Sequence, residues 1–215
     1  MNEALRFREL LLRHLAGICE LAEDQIELLY AHYCQMVRWN KVLNLTAIRD
    51  VEEVVVRHYC ESLFLGIHLP HVPISVVDVG SGAGFPGIPL SVVRPESHFT
   101  LVESRERKAV FLKECTRGRR NVTVVGQRAE TVDGSFGWLV SRAVRCTEVL
   151  RFLPRLSKRV GLLIGDRDVH GPLRAENLQW EKPIRLPWSS ATTVLIGEYV
   201  SRGTPTTVDP LHRAT

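Results

Sequence analysis

Residues 76–90 read Val-Val-Asp-Val-Gly-Ser-Gly-Ala-Gly-Phe-Pro-Gly-Ile-Pro-Leu, an order that few backbones accommodate. The β-branched residues before Gly80 predict a strand buried on both faces, as in a parallel sheet. Gly80, Gly82, Gly84 and Gly87 let the main chain turn tightly and come within contact distance of a ligand. A helix opening near Pro86 is expected to offer unpaired N–H groups to something anionic. In open α/β sheets, ligands bind in the crevice at the carboxyl ends of the strands, where this turn would lie. A tight turn with no ligand is the plainer alternative, but it gives no reason for so many glycines beside an acid, Asp78.

The flanking pattern agrees with a parallel sheet. Short apolar runs at 74–79, 98–103, 121–125, 138–141 and 160–164 alternate with helix-like segments at 88–93, 105–115 and 147–156. Such alternation implies right-handed crossovers and a sheet covered on both faces. Residues 192–199 read as a further strand, and 180–186 as another that Pro183 pushes toward an edge. The first 70 residues carry helical spacing instead. Ile26, Leu29, Tyr30, Tyr33 and Val37 recur at steps of three and four, and Asp50 with Glu53 reads as an N-cap with an acid reaching back to it. We therefore expect a helical extension over 1–70, an α/β domain over 71–200 and a flexible tail over 201–215.

With 45% apolar and 24% charged residues the chain has a globular balance. No apolar run reaches the ~18–20 residues that a bilayer requires, and the N-terminus lacks the layout of a signal peptide. Five scattered cysteines without a CxxC pair fit a reducing cytoplasm and argue against a disulfide frame or a thiolate zinc site. A cytoplasmic monomer with no membrane segment and no metal is expected. The net charge of +4 is unevenly spread. Seven basic residues lie in 104–120 and six in 141–160, against two acids and one. Such stretches suit a polyanion, with ordinary solvated helix faces as the alternative.

Glu103 closes the second apolar run, where a carboxylate can accept hydrogen bonds from ribose hydroxyls; a helix-capping role is its alternative. A nucleoside-bearing cofactor follows. Gly82-Ala-Gly-Phe-Pro-Gly87 satisfies GxGxxG, so a nicotinamide-dependent oxidoreductase also matches locally. Asp78 tilts the choice, because it can fix the loop and help hold a ligand ammonium, whereas it would repel a pyrophosphate.

Further motifs accompany the loop: Trp39-Asn-Lys-Val-Leu-Asn-Leu-Thr-Ala-Ile48, Arg57-His58 with Ser62-Leu63, Val102-Glu-Ser-Arg105 with Lys108, Phe111-Leu112, Arg128-Ala-Glu130 and Ser141-Arg-Ala143. Together they closely resemble the bacterial small-subunit ribosomal RNA guanine-N7 methyltransferases, also called glucose-inhibited division protein B. The resemblance implies a class I S-adenosylmethionine-dependent methyltransferase fold (Rossmann-like, mostly parallel sheet) with an N-terminal helical extension. It also implies S-adenosyl-L-methionine as cofactor and 16S rRNA of the small ribosomal subunit as partner, with a guanine of the decoding-region loop as target. Carried over residue by residue, the cofactor positions fall on Gly80, Phe85, Ala129, Glu130 and Arg142. Gly80 to Gly84, with Gly82 between them, would face the methionine portion, Glu103 the ribose, and Ala129 with Glu130 the adenine edge. Arg142 would hold the methionine carboxylate or an RNA phosphate, a surface ion pair being its alternative.

Arg57, His58 and Lys41 are the candidate RNA contacts. Packing roles stand beside them: a hydrogen-bonded helix histidine for His58, and a seam between helices and sheet for Trp39, Asn40, Lys41 and Asn44. Guanine N7 has a free lone pair and no proton to lose, so transfer needs no general base and none is named. Three positions depart from the family pattern: Ile164 where a lysine is usual, Glu61 where an aspartate is common, and a weakly charged tail. A catalytically lapsed RNA-binding relative would accommodate them.

Overall fold

The computed structural model describes residues 2–142, 144–169, 171–175 and 177–200, so the tail expected over 201–215 lies outside the described residues. Helices α1 (Glu3–Leu15) and α2 (Glu23–Leu43) come first. A third helical stretch follows in three parts: α3 (Val51–Val54), a π-helical turn Val55–Cys60 and α4 (Glu61–Ile67). On α2 the buried face is Ile26, Leu29, His32, Tyr33 and Met36, whereas Val37 is exposed. Steps of three and four allow either Met36 or Val37 after Tyr33, and the packing selects Met36. Asp50 caps α3 by accepting from the Glu53 N–H at 2.9 Å. The Glu53 carboxylate does not reach back; it takes the Arg57 guanidinium at 2.9 Å, one turn on, a charge-assisted bond.

Strands β1 (Ser75–Val79), β2 (His98–Val102), β3 (Val122–Val125), β4 (Trp138–Arg142) and β5 (Arg159–Gly165) pair in parallel. With β6 (Leu178–Trp180), β7 (Ile184–Leu186) and β8 (Ser189–Tyr199) they make one sheet of order β3-β2-β1-β4-β5-β8-β6, β7 also pairing β8. The winding reverses between β1 and β4, so a crevice opens at their carboxyl ends. The 180–186 run is two short strands, one on each side of Pro183, both antiparallel to the long β8. Between the strands lie α5 (Gly87–Val93) and α6 (Glu106–Cys115), and then α7 (Cys146–Leu150) and α8 (Leu153–Leu156) in place of one helix over 147–156. Pro154 explains the break: it fits the first turn of α8 and would disrupt a helix interior.

One apolar core runs from Phe7, Leu11 and Leu29 of the first helices through Tyr59 to Phe85, Leu101 and Val140 of the sheet half. A second packs α7 and α8 against the sheet's other side, around Val77, Leu139, Val149 and Leu162. The buried Arg94 donates to the carbonyls of Gly66, Leu69 and Pro70, giving partners to groups that the end of α4 leaves open. Among the described residues no helix is long and apolar enough to cross a membrane.

Candidate functional site

The glycine loop is tied down from two directions. From the sheet side, Asp78 is fully buried, and its Oδ2 accepts from the Ser81 hydroxyl at 2.7 Å and the Gly87 N–H at 3.0 Å. Its Oδ1 has no partner, and burial pushes its pKa up to about 7. A Cβ at Gly87 would sit 2.6 Å from the Asp78 carboxylate, so glycine is what lets the helix start approach it. The Gly87 N–H goes to Asp78 and the Ile88 N–H to the Gly84 carbonyl. The start of α5 is therefore satisfied from within, and the expected row of N–H groups open to an anion is not there.

From the helical side, His32 on α2 donates from Nε2 to the Ala83 carbonyl at 3.0 Å and accepts the Tyr59 hydroxyl at Nδ1, 2.8 Å away. Burial lowers its pKa to about 4, which keeps it neutral in this role. Glu103, closing β2, accepts from the Gly82 N–H at 3.0 Å and the Arg105 N–H at 2.8 Å. Phe85 lies beneath the loop, its ring stacked on His58 at 4.6 Å.

His58 belongs to a buried polar chain that joins four elements. Its Nδ1 accepts from Arg142 at 3.1 Å and its Nε2 donates to the Thr46 hydroxyl at 2.9 Å. Burial first, then the Arg142 and Arg57 charges, lowers its pKa to about 3. Arg142 also donates to Glu61 at 3.1 Å, and Thr192 donates to the other Glu61 oxygen at 3.1 Å. Burial raises the Glu61 pKa against the pull of Arg142.

Two cavities open at the carboxyl ends of the strands. One of about 600 Å³ is lined by Gly80, Val102, Ala129, Glu130, Val144 and Phe152, among others. The other, about 520 Å³, has Arg57, Glu61, Arg142, Val144, Ile164 and Asp168 on its walls. The sequence-derived positions thus divide. Gly80, Ala129 and Glu130 share the first cavity; Arg57 and Arg142 share the second. Gly82, Phe85, Glu103 and His58 form the supporting layer, while Lys41 is exposed on α2 and borders neither. Trp39 packs on Phe111 of α6 at 5.9 Å, a contact of the expected seam, whereas Asn40 bonds the Thr46 backbone in both directions, within the helical part.

The sequence patterns assign no role at the site to His32, Tyr59, Thr46 or Arg155. His32 had a signal: it sits three residues after Leu29 and four before Met36, on the buried face of α2. Arg155 belongs to the basic stretch at 141–160. It donates to the carbonyls of Ala129 and Val132 and pins the short 3-10 turn Ala129–Thr131. Arg155 is itself exposed, but with Arg142 largely covered in its ion pair with Glu61, not every cation of that stretch stands free on a solvated face.

The sequence matches the family model described as rRNA small subunit methyltransferase G (GidB) over residues 25–165. The chain belongs to the GidB family. A ribosomal RNA small subunit methyltransferase G from Roseiflexus sp. is 45% identical over 114 residues, 52% of this chain and 49% of that relative, so the match spans about half its length. One from Vibrio campbellii is 33% identical over 82% of each chain. Among solved structures, a SAM-dependent methyltransferase from Aquifex aeolicus superposes with a TM-score of 0.59 at 15% identity, covering 73% of this chain and 97% of that one. Magnesium protoporphyrin IX methyltransferase from Synechocystis, solved with bound SAM, gives 0.55 at 13% identity over 85% and 99%. These likenesses show the class I methyltransferase fold expected from the sequence. Within the GidB family pattern, the two departures at Glu61 and Ile164 both line the second cavity.

Proposed function

We propose that this protein methylates N7 of a guanine in 16S rRNA of the small ribosomal subunit, with S-adenosyl-L-methionine as donor. The observation that carries this reading is the first cavity, which sits at the switch between β1 and β4 beside a glycine loop braced from both sides. Its residues fit the donor. Gly80 has φ +75°, which bends the main chain sharply at the cavity wall, and its missing Cβ lets Val144 pack directly on that turn. Each Glu103 oxygen keeps a second lone pair beyond the one given to Gly82 or Arg105, enough for ribose hydroxyls. Ala129 and Glu130 stand on the turn pinned by Arg155, placed for an adenine edge. Val102, Val144 and Phe152 supply apolar walls.

S-adenosylmethionine, when bound, supplies a methyl group on a positively charged sulfur. Attack by the N7 lone pair, with the C–S electron pair returning to sulfur, would require no proton transfer, so no side chain here would have to act as acid or base. The chain's part is alignment and a dry pocket. His58, with both ring nitrogens engaged, serves as a positioning residue that fixes Arg142 and Phe85. Duplex RNA hides N7 in a deep groove, so the target base must be unpaired or splayed out. Arg57, Lys41 and the cations Arg105, Arg107 and Lys108 beside Asn44 are suited to the RNA backbone. The protein acts as a cytoplasmic monomer in this reading.

A nicotinamide cofactor fits less well, because Asp78 and Gly84 already take the N–H groups a pyrophosphate would need. Thermal unfolding with S-adenosylhomocysteine or NADPH separates the two. At a hundredfold excess over Kd, S-adenosylhomocysteine should stabilise the protein by about 2.7 kcal/mol. Gly80→Asp carries a left-handed backbone that costs about 1–2 kcal/mol and a Cβ 2.5 Å from Val144 Cγ2, so it should lose at least that much stability and show no such shift. Stabilisation by NADPH alone would overturn the reading.

A further inference from the structure

Val144 lines both cavities, and a Cβ at Gly80 would lie 2.5 Å from its Cγ2. The two spaces therefore meet at the ends of β1 and β4 with one side chain between them. A methyl acceptor in the second cavity would then lie beside a donor in the first, at Val144. A purine that turns N7 toward Val144 directs its N1 and exocyclic edge farther along the sheet, past β4 toward the end of β5. In guanine that edge carries two donors, N1–H and the N2 amine, which a carboxylate accepts together. Adenine presents an acceptor at N1, which a carboxylate repels.

Two carboxylates line this cavity. Glu61 is 1% exposed, and its oxygens are taken by Arg142 and Thr192. Asp166, in the turn after β5, accepts the Thr193 hydroxyl at 3.1 Å. Asp168 closes that same turn, is exposed, and stands on the cavity wall. We propose that the second cavity receives the guanine base and that Asp168 reads its N1–H and N2 amine. This rests on the methyltransferase reading above. It also contributes to rate: methylation at N7 makes the purine cationic and its N1–H a stronger donor, so the bond to Asp168 tightens as the methyl moves.

The test uses small ribosomal subunits rebuilt with 16S rRNA that carries guanosine or inosine, which lacks the N2 amine, at the methylated position. Wild type should prefer guanosine by about tenfold or more, the effect of one hydrogen bond to a charged acceptor. Asp168→Asn should bind S-adenosylhomocysteine as wild type does, methylate guanosine at least about thirtyfold more slowly, and lose the preference for guanosine over inosine. Asp168→Ala should lose the preference as well, which separates loss of the carboxylate from the new amide's donors. A variant that keeps the preference, or that loses S-adenosylhomocysteine binding together with transfer, overturns the assignment of Asp168. Wild type that neither binds S-adenosylhomocysteine nor methylates the guanosine subunit overturns the methyltransferase reading, and this proposal with it.

Discussion

Asp78 concentrates the physics of the site in one side chain. A carboxyl with no exposure at the end of a strand is tolerated because it organises the loop through Ser81 and Gly87. Its pKa of about 7, against 3.8 ordinarily, means the native state holds a proton that the unfolded chain has released between those values. Asp78 therefore makes stability fall as pH rises from about 4 to about 7. His32 and His58 act with the opposite sign: the unfolded chain takes up protons below 6.5 that these two refuse until about 4 and about 3. Removing the acid in Asp78→Asn should shift the slope of stability against pH, across that window, upward by as much as about 1.4 kcal/mol per unit. Urea denaturation at several pH values reads it, and an unchanged slope would mean the folded protein keeps Asp78 ionised. The loop-fixing role of Asp78 was legible because acid, glycines and Pro86 are sequence neighbours. His32 was not, because its partner Ala83 lies 51 residues away and nothing local marks the pairing.

At the scale of elements, the π-helical turn Val55–Cys60 turns His58 onto Phe85 and Arg142 while Tyr59 meets His32. Such turns interrupt α-helices most often where side chains must be aimed. Its sequence is ordinary helix, so periodicity found the helix, its Asp50 cap and its inner face but could not find the inserted geometry. The pair that follows, Glu61 with Arg142, is 1% and 14% exposed at the side chain. Glu61→Leu strands the Arg142 charge and should cost about 3–5 kcal/mol in chemical denaturation. Combining it with Arg142→Met should restore most of that loss; additive losses would show that the two do not act as a pair. The parallel strands were legible because each is a short, mostly apolar run. The split at Pro154 and the paired strands around Pro183 were blurred because a proline signals interruption without saying what stands on either side.

For the molecule as a whole, charge along the sequence was a weaker guide than apolar pattern. Arg142 pairs with the buried Glu61, and Arg155, though exposed, is tied to the carbonyls of Ala129 and Val132; a linear count cannot tell such cations from free ones. The two-part organisation read from periodicity also needs its packing stated, since the core that begins at Phe7 continues through Phe85 to Ile196. A chain starting at residue 46 would lose Phe7, Leu11, Leu29 and Tyr33 from that core, together with the His32 brace on the loop. Scanning calorimetry should show no cooperative transition for it and no response to S-adenosylhomocysteine; a sharp transition would make the helices a dispensable attachment. The boundary expected at residue 70 falls where Arg94 gathers the carbonyls of Gly66, Leu69 and Pro70. Three bonds to one buried guanidinium tie the end of α4 to the end of α5 across that boundary. Moving α4, whose first residue Glu61 stands on the wall of the second cavity, would therefore strain that tie.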